Sequence, residues 1–239
     1  MKGAPVDLST GELIGERYRI PTPRPAVPDV MDKIVGQIAG HHRWDGPIGA
    51  TFPGVVRNGV IHTAANLDAS WVGVDAAAMF ARQVGSPVHV LNDADAAAIA
   101  EHAFGAAHGH GGVVIVLTFG TGIGSGFLVD GQLVPNTELG HLELDGHDAE
   151  RRAAASARER HDWSWKKWAR HVQRYLEHLE RIFSPDLFVL GGGVSKKPGK
   201  WMKFVEIETE VVPAMLANNA GIVGAALAAD RLHAATTGP

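Results

Sequence analysis

Residues 113–119, Val-Val-Ile-Val-Leu-Thr-Phe, form the strongest strand signal in this chain, and the glycine-spaced segment Gly120-Thr121-Gly122-Ile123-Gly124 follows it directly. What lies on either side narrows the fold further. Residues 2–8 and 12–20 read as a hairpin about Ser9-Thr10-Gly11, and Pro21, Pro23, Pro25 and Pro28 make a stiff connector after it. Met31, Ile34, Val35 and Ile38 then recur at the spacing of one buried helix face. A short apolar strand follows at 48–52, and Asn58-Gly59 tips a hairpin over 55–61. A helix is expected over 74–84, closed by Gly85. A buried strand over 87–91 and an alanine-rich helix over 94–104, closed by Gly105, come next. Beyond the strong strand, Asp130-Gly131 turns a hairpin between 126–129 and 132–134. Residues 149–183 read as mostly helical, 187–190 as a buried strand and 220–232 as a closing helix. Strands and helices alternate, so the pattern specifies an α/β fold with a mixed sheet.

Composition removes several classes of function. At 239 residues there is room for one large domain or two small ones. With 45% hydrophobic residues and a net charge of −4, the chain can build a core and is not of disordered composition. That charge also means any polyanion site must be local. The chain has no cysteine, which excludes disulfides, a thiolate nucleophile, an iron–sulfur cluster and Cys-ligated zinc. The opening residues show no signal-peptide core, and no apolar run reaches membrane-spanning length. A soluble cytoplasmic protein is expected.

Four segments could carry chemistry, and three of them follow predicted strand ends, where ligands gather in open α/β sheets. Asn92-Asp93 stands between a strand and a helix. One of the pair can cap the helix while the other, a carboxylate, takes a proton from a hydroxyl. The glycines at 120, 122 and 124 can turn backbone N–H groups toward an anion, with Thr121 adding a hydroxyl. Because a strand and not a helix follows, this is no dinucleotide fingerprint; a plain glycine-rich turn is the other reading. Glu138-Leu-Gly140-His141 runs into Leu-Glu143-Leu-Asp145-Gly-His147, and on a strand 141, 143, 145 and 147 would share one face. Such a face would suit a metal and hence a metallohydrolase, or would simply be solvated. Gly191-Gly192-Gly193 follows the strand at 187–190, and Lys196, Lys197, Lys200 and Lys203 add local positive charge to an acidic chain.

In this order and spacing, NDAD, GTGIG, ELGH and LGGG resemble the ROK family of sugar kinases, and most closely its polyphosphate-glucokinase (polyphosphate/ATP-glucomannokinase) branch. The resemblance runs through FPGVVRNGVIHTAANLDASW, VLNDADAAAIAE, LTFGTGIGSGFLVDGQLVPNTELGHLELDGHDAE, FSPDLFVLGGGVSK and VVPAMLANNAGIVGAA, nearly the whole chain. It implies the two-lobed hexokinase/actin-like (ribonuclease H-like) fold, with a smaller lobe of residues 1–91 and 221–239 and a larger one of 92–220. It implies a hexose kinase that moves a phosphoryl group from polyphosphate and/or ATP to the 6-hydroxyl of glucose. Asp93 would be the base for that hydroxyl, and Asn66, Asn92, Glu138, His141 and Glu150 would also bind the sugar. Gly120, Thr121, Gly122 and Gly124 would cradle phosphates, and Gly191, Gly192 and Gly193 would line the donor side. Mg²⁺ would arrive on the donor. A homodimer is implied; nucleic acid and membrane are not.

Three departures accompany the resemblance. Most ROK kinases follow the Gly-His pair with a cysteine-rich zinc loop; HLELDGHDAE stands there instead, so neither zinc nor any other protein-held metal is expected. Glu206, Glu208 and Glu210 make an acidic stretch where the polyphosphate branch is basic or neutral. Finally, the family opens with a strand and an Asp-x-Gly-Gly loop, and this sequence starts just past that point. The first strand and first phosphate loop are therefore expected to be missing, which keeps open the alternative of an impaired sugar-binding protein of the same fold.

Overall fold

The structure, a computed structural model, describes residues 1–64 and 67–237. They divide into two compact units, Met1–Ala100 with Asn219–Pro239, and Glu101–Asn218. The division falls inside a helix, nine residues past the boundary at 91/92 that the resemblance implies.

In the first unit β1 (Lys2–Gly3) and β2 (Tyr18–Arg19) pair antiparallel, and a single bridge joins Val6 to Leu13. The hairpin expected over 2–8 and 12–20 is reduced to these ends. The reason is local: the Asp7 carboxylate accepts hydrogen bonds from the Ser9 backbone N–H (2.8 Å) and hydroxyl (2.6 Å), closing a turn where a ladder would have run. Helix α1 (Pro28–His42) starts on a proline and buries Met31, Ile34 and Val35. β3 (Ile48–Phe52) follows, and then β4 (Val56–Arg57) and β5 (Val60–Ile61) turn at Asn58-Gly59 as expected. Asp75 caps α2 (Ala76–Val84), and Gly85 stops it in the left-handed region. β6 (Val88–Asn92) lies parallel to β3 and leads straight into α3 (Asp93–Phe104). Phe52, Val90, Trp71 and Phe80 form the centre of this unit's core.

The second unit is built on a five-stranded sheet. β7 (Val113–Phe119), β8 (Ile123–Val129) and β9 (Gln132–Val134) form an antiparallel meander. A small hairpin of β10 (Glu143–Leu144) and β11 (His147–Asp148) follows, then α4 (Glu150–Ala153), α5 (Ala155–Arg160) and α6 (Trp165–Phe183). β12 (Leu187–Gly192) pairs parallel with β7 on one side and with β13 (Glu210–Pro213) on the other, giving the order β13-β12-β7-β8-β9. β13 was not legible in the sequence, because Glu208-Thr-Glu210 masks its short apolar stretch. Val114, Ile115, Val116 and Leu117 are all at most 1% exposed, so β7 is covered on both faces, as its sequence requires. Helix α6 buries Trp168, Val172, Tyr175, Leu176 and Leu179 against that sheet. Helix α7 (Ala220–Thr237) then returns the chain to the first unit.

Candidate active site

Sequence around residue 92 sets the candidates of the first unit. Asn92 ends β6 and turns its side chain inward. Its Oδ1 accepts from the backbone N–H groups of Ala94 (2.7 Å) and Asp95 (3.1 Å), and its Nδ2 donates to the Gly54 carbonyl (3.1 Å). It is thus the N-cap of α3 and is buried. The next side chain, Asp93, is exposed. The protein packed around its carboxyl nevertheless withholds part of the hydration shell and pushes its pKa up, against the opposing pull of the Ala94 and Asp93 backbone N–H groups. A carboxyl so tuned at a strand end suits proton abstraction from an alcohol. Asn66 lies outside the described residues.

The second unit holds the remaining candidates. β7 and β12 run parallel with Thr118 opposite Gly191 and Phe119 opposite Gly192, so the two glycine segments leave the sheet side by side. The turn after β7 is only Gly120–Gly122, closed by the Gly120 N–H on the Gly122 carbonyl (3.0 Å). β8 therefore begins at Ile123, three residues earlier than its sequence suggests, and Gly124 pairs with Thr118 inside the ladder. Gly192 takes φ 84°, and a Cβ there would stand 2.3 Å from the Phe119 carbonyl oxygen, so only glycine fits between the strands. At Gly120 and Gly193 a Cβ would meet nothing within 4 Å, leaving open space above both loops.

Glu150 joins the two segments that the sequence kept apart. At the start of α4, its Oε2 accepts from the Ile123 N–H at 3.0 Å. A Cβ on Gly122 would sit 2.4 Å from that oxygen, and one on Gly140 would sit 3.3 Å from it. The carboxylate therefore lies between the GTGIG turn and the ELGH segment. Ser125 secures the same junction from β8: its hydroxyl donates to the Thr137 carbonyl and accepts from the Leu139 N–H (3.0 Å). His141 places Nδ1 3.2 Å from Asp148 Oδ2 and Nε2 3.9 Å from Glu138 Oε2. Partial burial pulls its pKa down, but the Asp148 hydrogen bond and the charges of Glu150, Glu138 and Asp148 outweigh this, and the pKa is raised.

One expectation about this segment fails. His141, Glu143, Asp145 and His147 do not share a strand face, because the chain reverses at Asp145-Gly146, both at positive φ. Asp145 instead pairs with Arg174 on α6. Among the described residues, the grouping with metal-ligand spacing is His141, Asp148 and Glu150, whose donor atoms lie within 4.8 Å of one another.

Positioning residues were invisible in the sequence. Trp168 Nε1 donates to the Ala153 (3.0 Å) and Ala154 (3.1 Å) carbonyls, tying down the end of α4, whose start carries Glu150. Trp201 Nε1 donates to the Val194 carbonyl (3.2 Å), fixing the chain just past Gly193. These two rings pack at 4.9 Å, and Phe119, at the root of the GTGIG turn, packs on both at 5.9 and 6.1 Å. Ser156 adds a bond from its hydroxyl to the Thr121 carbonyl (2.6 Å). The one available signal was Trp168 falling on the apolar face of α6.

Comparison with known proteins decides the family. The sequence profile of the ROK family matches residues 6–154. The chain belongs to the ROK family. Polyphosphate glucokinase of Mycobacterium tuberculosis is 50% identical to this ROK protein over 236 residues, 98% of this chain and 89% of the relative. The crystal structure of inorganic polyphosphate/ATP-glucomannokinase from Arthrobacter sp. strain KM superposes with a TM-score of 0.92 at 48% identity, covering 97% of this chain and 94% of that one. The ROK hexokinase of Thermus thermophilus follows at TM-score 0.78 and 27% identity, covering 93% of each chain. The fold of this ROK protein is thus the sugar-kinase fold that its motifs imply.

Proposed function

We propose that this ROK protein is a hexose kinase that transfers a phosphoryl group from inorganic polyphosphate and/or ATP to the 6-hydroxyl of glucose. The division of labour at the end of β6 carries this reading: Asn92 is consumed in capping, while Asp93 is left exposed with a raised pKa. Asp93 accepts the hydroxyl proton as the oxygen attacks the terminal phosphorus, and the bond from that phosphorus to the rest of the donor breaks. Glu138, His141 and Glu150 hold further sugar hydroxyls, with Asn66 and Asn92 further contacts, and Asn92 also orients Asp93. The segments Gly120, Thr121, Gly122 and Gly124 and Gly191, Gly192 and Gly193 receive the donor phosphates, through those backbone N–H groups that the turn and the sheet leave free. The 50% identity to a polyphosphate glucokinase supports glucose and polyphosphate, and the likeness to a polyphosphate/ATP-glucomannokinase supports ATP as a further donor.

Mg²⁺ belongs to this reading as a companion of the donor, where it would neutralise phosphate charge. The glycine turns fit that role: they offer no carboxylate, and Glu150 beside them already accepts the Ile123 N–H. Structural zinc has no part in it. Leu142, Leu144 and Ala149 pack the β10–β11 segment into the core, which supplies the anchorage a metal would otherwise give. A homodimer acting in the cytoplasm at the entry of glucose into glycolysis completes the proposal. Among the described residues no helix is long and apolar enough to cross a membrane.

The deciding experiment is a coupled assay of glucose 6-phosphate formation with glucose and mannose, each supplied with ATP or polyphosphate. Glucose turnover with at least one donor is expected. Tight glucose binding with no transfer from either donor would establish the sugar-binding alternative instead.

A further inference from the structure

We propose that the exposed line of α6, together with the turns that follow β12, is a track for a long inorganic polyphosphate chain leading away from the glycine loops. The proposal rests on the kinase reading above and adds the place where a polymeric donor is held beyond its reacting end.

Charge is the first observation. The chain is acidic overall, yet residues 151–203 carry 13 Lys and Arg against 5 Asp and Glu, and those 13 are all the Lys and Arg of the second unit. Among the described residues, only Arg174 of these makes an ion pair. Shape is the second. Lys166, Arg170 and Arg174 recur at i, i+4 and i+8, which sets them in one row along α6. That row lines one side of a groove of about 510 Å³ with Phe204 and Glu206 also on its walls. Lys203 converges on the same place from the turn segment: its Nζ is 5.2 Å from the Phe204 ring centre, and Lys166 Nζ is 5.8 Å from it. Two ammonium groups from different elements thus share one ring, and neither makes an ion pair among the described residues, an arrangement that a linear polyanion relieves.

Continuity with the donor loops is the third observation. From Lys203 the chain leads back through exposed Lys200 and Lys196 to Gly193 at the end of β12. Trp201, in the middle of that stretch, is fully buried against Trp168 of α6, so the turns and the helical row are fixed to one another. At the far end Arg174 is taken by Asp145, and Glu177 and Glu206 close the groove. The acidic stretch at 206–210 therefore marks where the track stops. A single-stranded nucleic acid is the poorer fit. Its bases need open aromatic faces, and the rings flanking the row are taken: Trp163 is sandwiched by His161 (4.6 Å) and His171 (4.4 Å), Arg158 lies 4.1 Å over Trp165, and Trp168 and Tyr175 are buried.

The test uses the full chain and the double variant Lys166→Glu/Lys203→Glu, with Arg170→Glu as a second variant and melting temperature as the check on folding. KM is measured for long-chain polyphosphate, tripolyphosphate and ATP across a salt series. The track predicts that KM for the long chain rises on the order of tenfold and loses part of its salt dependence. ATP and tripolyphosphate constants should change by less than about twofold, since they do not extend past the glycine loops. An unchanged long-chain KM, or equal losses with all three donors, overturns it. So does equal competition by a single-stranded RNA in a direct binding titration with labelled polyphosphate. If the wild type uses ATP but neither uses nor binds polyphosphate, the track is refuted while glucose kinase activity stands. If transfer fails with every donor yet polyphosphate still binds and the variants weaken it, the kinase reading falls and the track survives.

Discussion

Asp93 and Glu150 are both carboxylates assigned to the sugar, but the fold makes them in opposite ways. Asp93 owes its position to its immediate neighbours: a strand ends at residue 92, Asn92 caps the helix within three residues, and the following side chain has nowhere to go but outward. Glu150 is held by Ile123, 27 residues away, and fits only because positions 122 and 140 carry no side chain. The first is a local device that survives small changes elsewhere. The second is a junction, so a defect there should spread to both the GTGIG turn and the ELGH segment.

Four experiments bear on that contrast, taken from the largest effect down. Asp93→Asn should lower turnover by roughly 10²–10⁴ while glucose affinity, read by calorimetry, stays close to that of the wild type. The low-pH limb of kcat/KM, set above the ordinary aspartate range by the raised pKa, should disappear with it. Near-normal turnover would remove Asp93 from the chemistry.

Glu150→Ala should leave the Ile123 N–H without an acceptor, at a cost of about 1–3 kcal/mol in denaturant unfolding, and should weaken glucose and donor together. Glu150→Gln keeps an acceptor and should recover most of the stability and the donor KM but not the glucose KM. If the two variants behave alike, Glu150 is a sugar ligand and not a junction. Asn92→Ala removes a cap, which costs typically about 1 kcal/mol. A fall in turnover larger than the fall in stability would show that orientation of Asp93, and not helix stability alone, depends on it.

The smallest effect concerns pH. His141 has a raised pKa in the folded protein, so its contribution to stability is fully present below the unfolded value of 6.5 and is lost as pH rises through the folded one. Asp148→Asn removes the hydrogen bond that helps raise it. The variant should therefore lose stability relative to wild type on the acid side and converge with it at higher pH, with the His141 NMR titration moving down. A midpoint that does not move would mean that the carboxylates of Glu138 and Glu150 set it.

What the sequence determined by itself is what depends on neighbours along the chain. The buried strand at 113–119, the Asn-Gly and Asp-Gly turns, the caps at Asp75 and Asn92 and the stop at Gly85 all follow from interactions a few residues long. The order of the four motifs further sufficed to indicate the family, and the profile match bears that out. Tertiary structure decided what requires elements distant in sequence to meet. It broke the expected alternation of 141, 143, 145 and 147, because Asp145 and Gly146 turn the chain and Arg174 draws Asp145 aside. It added β13, whose paired residues in β12 lie 23 positions upstream and supply the hydrogen bonds that its own composition does not announce. It also placed Trp168 and Trp201 so that two indole N–H groups, which must find acceptors once buried, find them in the segments behind Glu150 and Gly193. A pattern of residue types can say that such rings are buried, but only the packed core sets which carbonyls they reach.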